Sequence, residues 1–222
     1  MSMPTLQAVV CDLDGTLIDS ESISIEEYGK VWSELSSVPP PQDLYSLFAG
    51  KTEEERVAII HTETDSGLTL DALTRLCDER FDARWDRDGL PTLPGVERFL
   101  HMIREAGIRL GLVTSSYRAY VDRVIREKNW GSLFDTLIVR EDAPHPKPAP
   151  DLYQEAMRRF ILPASAIIAV EDSIPGVLSA CGAGLRVLGV RHASHGATLP
   201  ATSVVSSLES VQVQDLEHLL HC

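Results

Sequence analysis

From Val96 onward the chain alternates between segments with helically spaced apolar residues and short apolar runs. No other sequence feature restricts the fold as much. Helical spacing covers 96–106, 117–128, 151–160 and 176–181, and the intervening runs 108–114, 136–139, 167–170 and 185–190 read as strands. Repeated helix and strand in this order imply a mainly parallel sheet with helices on both faces. The earlier run from Leu6 to Cys11 is bounded by Gly15-Thr16 turn chemistry and reads as a buried strand of the same sheet. The predicted fold class is therefore α/β, a doubly wound parallel sheet of five or six strands.

Between the first strand and this alternation the texture changes. The segments "SIEEYGKVWSELSS", "EEERVAIIHTETD" and "LDALTRLCDERFDARWDRD" carry apolar residues at helical spacing among many charges, with no β-branched run. "VPPPQD" breaks the pattern once, because three prolines cannot continue a helix. Residues 19–90 thus read as an all-helical insertion, and residues 1–18 with 91–222 as the α/β core domain.

The chain has 222 residues, enough to bury a core without a disulfide or metal staple. Twenty basic and 33 acidic residues leave a net charge of −13, which argues against nucleic acid and anionic membrane surfaces as partners. Cys11, Cys77, Cys181 and Cys222 form no regular pattern, so a disulfide framework is not expected and Cys11 reads as a buried strand thiol. With no apolar run of membrane-spanning length and no basic leader followed by an apolar stretch, a cytoplasmic location is expected.

In an open parallel sheet, ligands bind beyond the carboxyl ends of the strands, where strand order reverses. The polar residues that follow the apolar runs are Asp12 and Asp14, then Thr114-Ser115-Ser116, then Lys147 within "APHPKPAP", then Glu171-Asp172-Ser173. If a strand spans 9–13, Asp12 and Asp14 share one side roughly 7 Å apart. At an effective dielectric near 20 their repulsion is about 2 to 3 kcal/mol, which calls for a cation or proton between them. These residue types suit phosphoryl transfer. A carboxylate can attack phosphorus, carboxylates can hold a hard divalent ion, and a lysine with hydroxyl donors can hold the equatorial oxygens.

Asp12-Leu13-Asp14-Gly15-Thr16, Thr114, Lys147 before a proline, and Glu171-Asp172 occur in an order that resembles the phosphatase branch of the haloacid dehalogenase superfamily, in the group of phosphoglycolate phosphatase and β-phosphoglucomutase. The resemblance implies that Asp12 is the nucleophile and that Asp14 protonates the leaving group and then activates water. It implies a Mg2+ ion held by Asp12, the Asp14 backbone carbonyl, Asp172 and Glu171, the last directly or through water. Thr16, Thr114, Ser115 and Lys147 would hold the phosphate, and the inserted helices would form a mobile cap. Asp14 argues for phosphate-ester chemistry, since dehalogenases and phosphonate hydrolases of the superfamily lack the second aspartate. Sugar-phosphate mutases carry basic residues around a cap glycine resembling Gly50, where this chain has Ala49 and Glu53. Lys51 is the residue that would have to serve instead.

The function expected is magnesium-dependent hydrolysis of a small phosphomonoester through an aspartyl phosphate, by a monomer or dimer acting on a phosphorylated metabolite. The alternatives are a sugar-phosphate mutase and a non-catalytic phospho-ligand-binding relative. Glu21, Lys51 and Thr52 are the substrate-contact candidates in the inserted section, set against a plain solvated helix face. Bland readings exist for the other residues too. Glu171 would otherwise be a solvated helix-start carboxylate, and Thr114 and Ser115 helix caps. The prolines around Lys147 favour an extended, stiff loop, and His145, His192 and His195 read as loop residues.

Overall fold

A computed structural model describes residues 5–48, 51–191 and 198–221. The chain divides into two compact units, one including the segments that end at Ile18 and begin at Thr92, the other Asp19–Pro91.

The first unit is built on six parallel strands: β1 (Ala8–Cys11), β2 (Arg109–Val113), β3 (Thr136–Ile138), β4 (Ile167–Glu171), β5 (Arg186–Val190) and β6 (Ser203–Val205). Their order is β3-β2-β1-β4-β5-β6, so the chain builds outward from β1 in one direction, then crosses back to β4 and builds in the other. That reversal places β1 beside β4 at the sheet centre, paired Ala8 to Ile167 through Cys11 to Val170. All four residues of β1 are fully buried. A sheet covered on both faces demands such continuous apolar strands. Ala8 and Val10 point to the face packed by Tyr153, Ala156 and Phe160 of one helix (Asp151–Phe160) and Val177 and Ala180 of another (Ile174–Gly182). Val9 and Cys11 face the other way by strand alternation.

The sequence reading foresees five of these strands and the helix at 151–160, with small differences in the other ends. It misses β6 and a final helix, Val213–Leu219, whose turns are short and only partly apolar. Two local expectations are corrected. β1 stops at Cys11 rather than continuing through Leu13, because Leu17 and Ile18 N–H groups both close onto the Leu13 carbonyl (2.8 and 3.1 Å) and turn the chain. The proline-rich stretch is not extended either. Ala149 N–H donates to Pro146 O at 3.0 Å, closing a turn around the cis Lys147–Pro148 peptide.

The second unit is all helical, with helices at Ser20–Leu35, Leu44–Phe48, Glu53–Glu63 and Leu70–Asp88. Its own core gathers Ile25, Tyr28, Val31, Trp32, Phe48, Val57, Ile60, Leu73 and Cys77. The prolines at 39–41 separate the first two helices as anticipated, and Trp32 Nε1 donates to Val38 O at 3.2 Å across that break. Gly50 and Ala49, central to the mutase comparison, and His192, His195 and Cys222 lie outside the described residues.

One backbone position opposes its residue type. Ile161 ends the 151–160 helix in the left-handed region (φ 55°) with its side chain 89% exposed, so a β-branched residue bears the Cβ clash and gains no burial. Ile161→Gly is expected to raise stability by about 1 kcal/mol. In a thermal unfolding scan this is a midpoint increase of roughly 2–4 °C, and an unchanged or lower midpoint contradicts it.

Candidate active site

The carboxyl ends of β1, β2 and β4 and the loop after β3 bring four residue groups to the point of strand reversal, where an open α/β sheet has its crevice. At the centre is the Lys147 ammonium, whose side chain is 7% exposed. It donates to Asp12 Oδ1 at 2.6 Å, to Glu171 Oε1 at 2.5 Å and to the Val113 carbonyl at 2.9 Å. Three donors thus reach three acceptors at the ends of three strands, Asp12 just past β1, Val113 in β2 and Glu171 in β4. This saturates an ammonium that burial alone would drive toward neutrality. Burial lowers the Lys147 pKa, but the adjacent Asp12 and Glu171 charges outweigh it and hold the group above its ordinary value.

Glu171 is fully buried, which overturns the reading of it as a solvated helix-start carboxylate. Its Oε1 also accepts from the Tyr153 hydroxyl at 2.6 Å, and its Oε2 from Ser173 Oγ at 3.3 Å. Ser173 caps the following helix by accepting from Gly176 N at 3.1 Å. Gly176 is required for space, since a Cβ there would overlap the Glu171 carboxylate. Asp172 is held in the same way from the first strand's loop. Thr16 Oγ1 donates to Asp172 Oδ1 at 2.8 Å, and a Cβ at Gly15, whose φ is +77°, would strike the same carboxylate. Thr16 is fully buried beside Asp172.

Asp12, Glu171 and Asp172 each offer an oxygen, all within 4.8 Å of one another and all buried. Burial pushes Asp12 well above the usual carboxylate range; Lys147 opposes the shift, and Glu171 and Asp172 add to it. One ammonium among three carboxylates leaves the cluster formally doubly negative. An all-oxygen, doubly negative donor set fits a hard divalent cation.

The sequence reading set Asp12 and Asp14 on one side with a cation or proton between them; in the structure their carboxylates have different partners. Because the strand ends before Asp12, the pleat does not keep the two carboxylates on a common partner. Asp12 pairs with Lys147, whereas Asp14 accepts from Ser116 Oγ at 2.7 Å and from the Tyr120 hydroxyl at 2.6 Å. Thr114 is buried and its Oγ1 accepts from Ser116 N at 3.0 Å. Ser115 is exposed. Tyr120 and Tyr153 escaped the sequence reading because each lies within a helix, where an aromatic at helical spacing reads as core. Ser116 was visible only as part of a polar triplet.

In the helical unit, Glu21 accepts from Arg56 Nη2 at 2.5 Å and from the Tyr45 hydroxyl at 3.1 Å. Thr52 caps the helix at 53–63 in a capping box with Glu55. Lys51 is half-buried. His145 is exposed and pairs with Asp151, as a loop residue would. Cys11 is buried and its thiol is pushed up by burial, leaving it inert.

A family model described as haloacid dehalogenase-like hydrolase matches residues 9–190, a span that contains every one of these strand-end groups. The chain belongs to the haloacid dehalogenase-like hydrolase family. Among curated relatives, a phosphorylated carbohydrates phosphatase of Thermotoga maritima is 28% identical over 188 residues, covering 84% of this chain and 86% of its own length. The bifunctional riboflavin kinase/FMN phosphatase of Arabidopsis thaliana is 26% identical over 216 residues; the match covers 93% of this chain and 54% of that protein, so the chain spans about half of that relative. A crystal structure of CbbY from Rhodobacter sphaeroides in complex with phosphate superposes with a TM-score of 0.73 at 24% identity, over 93% of this chain and 96% of the other. The superposition establishes a shared fold. No helix among the described residues is long and apolar enough to cross a membrane.

Removing the lysine tests the electrostatic centre directly. Lys147→Met leaves Asp12 and Glu171 buried without their shared cation, and is expected to cost about 3–5 kcal/mol of stability. Urea unfolding with a chelator present measures this. A loss under about 1 kcal/mol would show that the carboxylates do not depend on the ammonium.

Proposed function

We propose that the protein hydrolyses a small phosphomonoester, a sugar phosphate or similar metabolite, with magnesium and through an aspartyl phosphate on Asp12. The observation that carries this reading is Lys147 joining Asp12 to Glu171 beside Asp172, at the reversal of strand order in a family of hydrolases.

Asp12, Glu171 and Asp172, with the Asp14 backbone carbonyl, are the groups assigned to hold the ion. When bound, magnesium supplies positive charge that offsets the negative charge on the phosphoryl oxygens, which would otherwise repel an anionic nucleophile. Lys147 fixes the Asp12 carboxylate and contributes a second positive charge beside the transferring group. Thr114 Oγ1 is oriented by accepting from Ser116 N–H, and its own O–H is the donor assigned to a phosphoryl oxygen.

In the first half-reaction an Asp12 oxygen bonds to phosphorus and the ester P–O bond breaks. Its electron pair stays on the leaving oxygen, which takes a proton from Asp14. In the second, water attacks the aspartyl phosphate, gives its proton to Asp14 and releases inorganic phosphate. Splitting the hydrolysis in two lets one carboxyl pair act in both directions. The relatives' printed names support phosphate-ester and carbohydrate-phosphate substrates, and the helical unit, as the inserted cap, is assigned their selection. In that role Glu21, Lys51 and Thr52 are the candidates, Lys51 as the basic one; Glu21 is also paired with Arg56 and Thr52 also caps a helix.

Asp12→Asn and Asp14→Asn are the test, assayed on 4-nitrophenyl phosphate with magnesium. Asp12→Asn is expected to retain below about 1% of wild-type turnover. An acid-quenched wild-type reaction should carry the phosphoryl group on the peptide containing Asp12. Turnover by Asp12→Asn at the wild-type rate sinks the nucleophile assignment. A panel of phosphorylated sugars then separates hydrolysis from phosphate migration: inorganic phosphate is expected to appear in step with substrate loss, and an isomeric sugar phosphate appearing faster would identify a mutase.

A further inference from the structure

The Asp14 carboxylate is gripped on both oxygens by hydroxyls from one segment. Ser116 Oγ lies 2.7 Å from Oδ2 and Tyr120 OH 2.6 Å from Oδ1. Ser116 is itself pinned, its N–H by Thr114 Oγ1 at 3.0 Å and its carbonyl by Arg140 N–H at 3.0 Å. Tyr120 is carried in the first turn of the helix Arg118–Lys128 that follows β2. The two contacts have the lengths of charge-assisted hydrogen bonds, and neither partner is a cation.

Two hydrogen bonds from one pinned segment, one to each oxygen, stop the carboxyl group from turning about its own bond. We infer that Tyr120, with Ser116, is a positioning residue that holds the Asp14 carboxyl in one orientation toward the leaving oxygen. This rests on the assignment of Asp14 in the proposed function. Tyr120 touches neither phosphorus nor the leaving group and acts only through Asp14.

Such a role shows itself by leaving group. As the ester P–O bond breaks, the electron pair goes to the departing oxygen; a weakly basic nitrophenolate leaves with little help, a more basic phenolate needs the proton. The quantity to measure is kcat/KM, which covers steps only up to leaving-group departure and excludes the later hydrolysis of the aspartyl phosphate. With 4-nitrophenyl phosphate and phenyl phosphate as probes, Tyr120→Phe is expected to raise the ratio of the two kcat/KM values about tenfold over wild type, a fraction of the 10²–10⁴ that general acid catalysis supplies. Ser116→Ala removes the other hydroxyl and should shift the ratio in the same direction; it also decides the matter if Tyr120→Phe does not fold.

Equal losses on both probes, or no loss on either, overturn the inference. Asp14→Asn separates the two ideas. If it raises the ratio while the hydroxyl variants do not, Asp14 is the acid and the positioning role is wrong. If Asp14→Asn itself leaves the ratio unchanged, the acid assignment fails, and with it the inference.

Discussion

The site depends on the Lys147 ammonium, buried where β1, β2 and β4 end. A charge there is tolerable only because three acceptors, at the ends of three strands, meet its three N–H bonds. The dependence runs both ways. Asp12 and Glu171 are buried carboxylates whose mutual repulsion is relieved by the cation between them, and removal of any member leaves the others desolvated without compensation. The rest of the site is arranged around this point, with Tyr153 and Ser173 holding Glu171 and Thr16 holding Asp172.

Rigidity here has identifiable sources. Two glycines stand where a side chain would strike a carboxylate, Gly15 against Asp172 and Gly176 against Glu171. The turn after β1 is closed onto the Leu13 carbonyl, and the turn carrying Lys147 onto Pro146. Each acid is therefore positioned by backbone geometry on one side and by a hydroxyl or ammonium on the other. That is the kind of support a preorganised charge site requires, since reorganisation during reaction would cost part of the stabilisation the site supplies.

The two aspartates near β1 show how neighbours in sequence can be given different chemistry. Asp12 sits among other carboxylates and a cation, and Asp14 among neutral hydroxyls. The cation beside Asp12 opposes the protonation that burial and the neighbouring carboxylates favour. The separation follows from the strand stopping at Cys11, because a strand continued to Leu13 would have turned both side chains to the same surroundings.

Much of this was legible from the chain alone. The alternation after Val96 determined a parallel α/β sheet, since buried parallel strands must be apolar throughout and their connections must be helices. The charged helical texture marked out the inserted section. The polar residues ending the apolar runs, Asp12, Thr114, Lys147 and Glu171-Asp172, could be expected to meet because such ends converge on one edge of the sheet. Tertiary structure decided what those residues touch. It joined Thr16 to Asp172, buried Glu171, gave Asp12 and Asp14 different partners, and enlisted Tyr120, Ser116 and Tyr153. Sequence carries periodicity, which reports the face a residue occupies. The partner of a polar atom is set by distances of about 3 Å between segments up to a hundred or more residues apart, and only the packed fold establishes those.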